Sequence, residues 1–303
     1  MEVLRVSGVP GVAEVGVLRF RGDDRYCVET VDGLAPPLGR REKWIVNVST
    51  QFGCPVGCPF CDAALAYHGE PTADELLAQV RWVLERHPGE AERCAKLKVH
   101  FARMGEPALN DAVLEALERL PGVAVSPGLW ACVATTAPRG CEAWFEALRE
   151  VKDRLYRGRF QLQFSVQSTA ERDRARLTPM PHWSLEGLAE YGARFWRPGD
   201  RKVVLNFALA RGVAFDAGVL AATFDPARFA VKITPVNPTA RGAESGLATV
   251  LRSERSAAIE RALAALRARG FDVILSVGEG EEDRIGSNCG QAVRVARPTG
   301  AEA

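Results

Sequence analysis

The 303-residue chain has no excess of charge of either sign: 39 Lys and Arg stand against 38 Asp and Glu, a net charge of +1. No overall basic field announces a nucleic-acid partner, although a local patch is compatible with that balance. There is no run of about 18 apolar residues, the length that a membrane-spanning helix needs. The first residues, MEVLRVSGVPGVAEV, place acidic and basic side chains where a secretory leader needs an unbroken apolar stretch. The expectation is a cytoplasmic protein with no membrane partner. Eight cysteines are too sparse for a disulfide-stapled secreted scaffold, which fits a reducing compartment. No internal repeat or low-complexity tract stands out. What is present, 47% hydrophobic and 25% charged residues, suits one large globular domain or a domain with an appendage.

Residues 1–43 read as an N-terminal β hairpin extension, with strands at VGVLRF and RYCVETV, followed by a linker, GLAPPLGRREK. From residue 44 alternating apolar residues mark strands at WIVNVST, KLKVHFA, LWACVAT, FQLQFSV, KVVLNFAL and FAVKITP. Between them lie helical stretches such as TADELLAQVRWVLERH, CEAWFEALREV and SLEGLAEYGARFW. Six β/α units predict an α/β fold, a partial (β/α)6 barrel over 44–276 that ends in a last helix and strand. Residues 277–303 read as a loose Gly/Glu-rich tail that carries Cys289 in NCGQ.

The chemistry is concentrated in QFGCPVGCPFCDAA, where Cys54, Cys58 and Cys61 form C-x3-C-x2-C after the first barrel strand. Thiolates are the ligands that iron–sulfur clusters prefer, and a cubane needs four. Three leave one iron open to a further ligand. Gly53, Gly57, Pro55 and Pro59 suit a tight loop around such a cube. A zinc site completed by a distant residue such as His68 is the alternative.

This loop resembles that of the radical S-adenosylmethionine superfamily, with Phe60 as the aromatic before the last cysteine. The resemblance implies a partial six-unit barrel and a 4Fe-4S cluster. The open iron of that cluster binds S-adenosylmethionine, which is cleaved to a 5′-deoxyadenosyl radical by one electron from a donor such as flavodoxin or ferredoxin. M-G-E-P-x-L-N in RMGEPALN further resembles the RlmN/Cfr RNA methyltransferases, which methylate carbon 2 or carbon 8 of an adenine. FSVQS, LARGV, ITPVNP and NCGQ continue the likeness in the same order, from about residue 26 to 292. Carried over, Gly105, Glu106, Ser165, Gln167 and Asn237 would contact S-adenosylmethionine, with Thr135 or Thr136 in place of a family serine; Gln167 stands where the family has histidine. Cys289 matches the tail cysteine that is methylated and then carries the carbon to the base, and Glu29 in CVETV matches the family's proton acceptor.

Two departures accompany this match. Asn47 occupies the place of the family's resolving cysteine, seven residues before Cys54, and the chain begins almost at the barrel, where the family has a helical RNA-binding region. An amide can neither attack an adduct nor form a disulfide. Cys27 lies two residues before Glu29, so in a strand both side chains share a face, and it is the candidate replacement thiol. The reading is therefore a radical methyltransferase that uses Cys289 on an unreactive sp2 carbon, with RNA adenine or a small molecule as substrate. The alternatives are non-methylating radical chemistry on a small metabolite or peptide, and a non-catalytic iron–sulfur binding protein. Arg19, Arg21, Arg25, Arg40 and Arg41 are the candidates for a local basic face.

Overall fold

Hydrogen-bonded strand pairs organise both halves of the chain. The computed structural model describes residues 1–64, 66–248, 257–276 and 290–296. These fall into two units: 1–55 and 61–132 with the tail residues 290–296, and 56–60 with 133–248 and 257–276.

The first unit opens with an antiparallel meander, β1 (Glu2–Val9), β2 (Ala13–Arg19) and β3 (Cys27–Gly33). Its register sets Val15 opposite Val31, Val17 opposite Glu29 and Arg19 opposite Cys27. The hairpin expected from sequence is β2–β3. β1 was not legible, because seven of its eight residues are exposed and an edge strand open on both faces has no apolar alternation to mark it. β4 (Trp44–Val48) pairs antiparallel with β3, Asn47 facing Val31, and parallel with β5 (Leu97–Phe101), Asn47 facing His100. Between β4 and β5, α1 (Ala73–Glu85) starts from a capping box in which Thr72 and Glu75 satisfy each other's backbone N–H groups, and it buries Leu76, Leu77, Val80 and Val83. A short α2 (Glu90–Arg93) precedes β5, and α3 (Ala112–Val123) follows it.

β6 (Leu129–Thr135) leads into the second unit. There α4 (Glu142–Leu155), β7 (Phe160–Ser165), α5 (Glu171–Leu177), α6 (Leu185–Phe195), β8 (Val203–Leu209), α7 (Ala217–Thr223), β9 (Phe229–Pro235), α8 (Ala240–Glu244), α9 (Ala257–Ala268) and β10 (Asp272–Leu275) follow. β7, β8, β9 and β10 lie side by side in sequence order, all parallel. Phe145 of α4 centres an aromatic core, 4.4 Å from the Trp183 ring and 5.1 Å from the Tyr191 ring of α6. The chain order from β4 to β9 is thus strand–helix repeated six times, as the periodicity required. α10 (Gln291–Ala296) belongs to the first unit and stands at the end of a stretch read from sequence as loose.

Candidate active site

The cysteine loop leaves the end of β4. Cys54 and Cys61 are half-buried in the first unit and pack against an apolar cluster that includes Cys27, Met104, Ala63, Ala292 and Val293. Cys58, also half-buried, falls in the second unit. Phe52 ties the loop's ends together: its N–H donates to Gly69 O at 2.9 Å and its carbonyl accepts from His68 N–H at 2.8 Å. Gly53 has φ +89°, and a Cβ there would lie 1.4 Å from Ala66 O, so only glycine allows this approach. Among the described residues, the one set of three Cys, His, Asp or Glu side chains with ligand atoms all within 4.8 Å is Glu14, Asp32 and His87. The Asp32 carboxylate is already taken by Trp44 Nε1 at 2.7 Å, Arg40 at 2.6 Å and His87 at 2.6 Å, a packing network rather than an ion site.

The Gly105-Glu106 turn after β5 is fastened to the residues before the loop. Thr50 and Gln51 donate their N–H groups to Met104 O at 2.7 and 3.2 Å, and Glu106 N–H donates to Gln51 Oε1 at 2.8 Å. Gly105 (φ +100°) could not carry a Cβ, which would sit 2.6 Å from the Gln51 backbone N. Glu106 is 3% exposed and accepts from Ala108 N–H at 3.1 Å, so it also caps its own turn. Gln51 Nε2 is buried and finds no partner among the described residues, an unmet donor three residues before Cys54. A three-thiol donor set that follows this donor in sequence has the chemistry for an anionic cluster, and the unmet amide suits a cosubstrate carboxylate.

Glu29 is fully buried, and its carboxylate meets Arg103 Nη2 at 2.6 Å, Gly290 N–H at 3.0 Å and Val293 N–H at 2.9 Å. Cys27, Glu29 and Val31 share one face of β3, and Cys27 is 1% exposed. Gly290 (φ +87°) lies so close to the residues after Cys61 that a Cβ would stand 2.1 Å from Ala63 N. Arg294 reaches Asp62 at 3.5 Å. The space left between the tail and this loop, lined by Gly53, Met104, Ala63 and Val293 among others, is a cavity of about 40 Å³, room for a water molecule. Cys289 itself lies outside the described residues.

In the second unit Thr135 is buried and its hydroxyl accepts from Ala137 N–H at 2.9 Å; Thr136 is half-buried. Ser165 ends β7 half-buried, opposite Asn206, which in turn faces Lys232. Gln167 takes φ +67° and accepts from Ala208 N–H at 3.0 Å, so its side-chain oxygen is committed to β8. Asn237 is exposed two residues before Thr239, whose hydroxyl donates to Phe60 O at 2.7 Å next to Cys61. The sequence reading missed Gln51 and Arg103, which gain meaning only from their partners. It also missed Asn206 and Lys232, which the period-2 pattern of β8 and β9 could have flagged as polar residues on the half-buried face. All five arginines proposed as a basic face are ion-paired: Arg19 with Glu2 and Asp24, Arg21 with Glu75, Arg25 with Asp23, Arg40 with Asp32 and Arg41 with Glu90.

No family model matches the chain. Over 306 residues it is 28% identical to the probable dual-specificity RNA methyltransferase RlmN 1 of Opitutus terrae, covering 96% of this chain and 82% of that protein. It is 30% identical over 259 residues to the probable dual-specificity RNA methyltransferase RlmN of Desulfitobacterium hafniense, covering 84% of this chain and 68% of the relative. Among solved structures, a radical SAM methyltransferase from Sphaerobacter thermophilus superposes with TM-score 0.72 at 21% identity, over 96% of this chain and 80% of that one. The α/β fold, with its parallel strands and interleaved helices, is thus the radical SAM methyltransferase fold. The chain belongs to the RlmN family of radical SAM methyltransferases, as a divergent member. Among the described residues no helix is long and apolar enough to cross a membrane.

Proposed function

We propose that this enzyme methylates an unreactive sp2 carbon through a methyl group carried on Cys289, with an RNA adenine as substrate. The observation that carries the reading is the seat of the tail: Gly290, covalently next to Cys289, packs on Asp62 and Ala63, directly after Cys61. Gly290, the chain neighbour of the proposed carrier, is thus held at the cysteine loop, where methyl transfer needs it. The RNA substrate is supported by the relatives, named as RNA methyltransferases.

In this reading Cys54, Cys58 and Cys61 hold a 4Fe-4S cluster, and Gly105, Glu106, Thr135, Thr136, Ser165, Gln167 and Asn237 hold S-adenosylmethionine. The bound pair supplies both a methyl donor and, after one electron from a flavodoxin- or ferredoxin-type donor, a hydrogen-abstracting radical. Gln51 and Gly105 hold the Glu106 turn in place. Glu29 is the proton acceptor, and Cys27 is the thiol that takes the role of the family's resolving cysteine, whose place Asn47 holds.

Mass measurement of the isolated, reconstituted enzyme tests the reading: Cys289 should carry a methyl group after incubation with S-adenosylmethionine. Cys289→Ala should still cleave S-adenosylmethionine but transfer no methyl to RNA. Methyl transfer by that variant would overturn the carrier role. Cleavage by the parent with no methylated adenine in treated RNA would favour a small-metabolite or peptide substrate.

A further inference from the structure

Glu29 is enclosed by partners from the end of β5 and from the tail. Its carboxylate is 0% exposed and faces donors only: the guanidinium of Arg103 and the N–H of Gly290 at one oxygen, and the N–H of Val293 at the other. Each of the three is a donor, and the carboxylate oxygens are their acceptors. Arg103, 7% exposed in its side chain, stands at the end of β5 with its backbone N–H donated to Val48 O at 3.1 Å. It lies two residues before Gly105. Buried pairs of this kind are held by their further hydrogen bonds, and here two of those to the carboxylate come from the tail.

Independent contacts define the same seat. Gly290 approaches Ala63 too closely for any side chain, Ala292 and Val293 are buried in the apolar cluster with Cys27, and Arg294 meets Asp62. Charge, close backbone approach and apolar burial therefore converge on one docked position of α10, and the charge is Glu29.

We infer that Glu29 and Arg103 are positioning residues that latch the tail onto the cysteine loop. Arg103 holds the carboxylate aimed, and Glu29 holds Gly290 and Val293. The inference rests on the reading of Cys289 as the methyl carrier, since it is the carrier's neighbour that is latched.

Amide hydrogen exchange of the full reconstituted chain, followed by mass spectrometry, tests the latch. In Arg103→Met and in Glu29→Gln, peptides covering 290–296 should exchange roughly ten-fold faster or more, the loss expected when hydrogen bonds to a charged group are weakened. Peptides covering Leu97–Phe101 should keep the parent rate, and Arg103→Lys should recover most of the protection. Methyl occupancy of Cys289 should fall about ten-fold in Arg103→Met and recover in Arg103→Lys. If Arg103→Met does not fold, Glu29→Gln, nearly isosteric, carries the test. Parent-like exchange of 290–296 in a folded variant overturns the latch, whatever the state of Cys289. Faster tail exchange in the variants together with a parent Cys289 that never gains a methyl group upholds the latch and overturns the carrier reading instead.

Discussion

Glu106 donates its backbone N–H to Gln51 Oε1 at 2.8 Å, so the turn after β5 and the approach to the cysteine loop are one hydrogen-bonded piece. Gln51 is fully buried, and removing its acceptor strands the Glu106 N–H at a cost of about 1–3 kcal/mol. Gln51→Ala should therefore bind S-adenosylmethionine about ten-fold or more weakly, measured by equilibrium dialysis on reconstituted protein. Gln51→Glu keeps the acceptor and should bind more tightly than Gln51→Ala. Equal affinity of Gln51→Ala and parent would separate this contact from cosubstrate binding.

Replacement of Cys54, Cys58 or Cys61 by Ala should abolish the brown chromophore and bring iron and sulfide well below four per chain, because a cubane held by two thiolates has two open irons. Full iron content in any of the three variants would remove that cysteine from the ligand set.

Gly290→Ala forces a Cβ to 2.1 Å from Ala63 N at φ +87°. A non-glycine residue in that backbone region costs about 1–2 kcal/mol before the clash is counted. The tail should undock, with faster exchange over 290–296 and a loss of methyl transfer of about ten-fold, while the cluster still assembles. Parent-like transfer would mean that the seat on Ala63 is dispensable.

His182 is buried and desolvation holds its pKa below the usual histidine value, with Arg174 and Arg139 nearby adding to the effect against a 2.9 Å contact to Met180 O. The unfolded chain's histidine titrates near about pH 6.5. Below that pH the unfolded state binds the proton first, so stability should fall as the pH drops from about 6.5 toward the lower folded value. Urea midpoints at about pH 7 and pH 5 should show a smaller fall for His182→Gln than for the parent. Identical falls would show that His182 is protonated equally in both states.

Cys27 packs in one apolar cluster with Ala292 and Val293 of the tail, and Glu29 holds Val293. In the proposed role it meets the adduct only after the tail lifts. Cys27→Ser should then trap a covalent enzyme–substrate complex through Cys289, visible as a mass increase. Unchanged multiple turnover would make Cys27 a packing residue.

Much of this was legible without coordinates, and the reason is locality. WIVNV, LKVHF and FQLQFS alternate buried and half-buried residues over their whole length, so period two announced β4, β5 and β7. α5 was missed because ERDRARL buries only Arg174 and Leu177 and has no apolar stripe to read. The half-buried row of Ser165, Asn206 and Lys232 was legible strand by strand but not as a row, since register is set between strands. The arginines near the N-terminus looked like a basic face until their carboxylate partners were placed, Glu75 and Glu90 coming from 54 and 49 residues away in sequence.

The sequence by itself determined the three-thiol loop, the β/α order that follows it and the glycine–glutamate turn, because a ligand spacing, an apolar period and a tight turn are each written in consecutive residues. Only the tertiary structure decided what Glu29, Arg103 and Gln51 do. A buried carboxylate's role depends on which donors surround it, and the N–H groups that meet Glu29 come from residues 261 and 264 positions further along the chain. No local pattern encodes such a pairing; it exists only once the tail, β3 and the end of β5 are folded against one another.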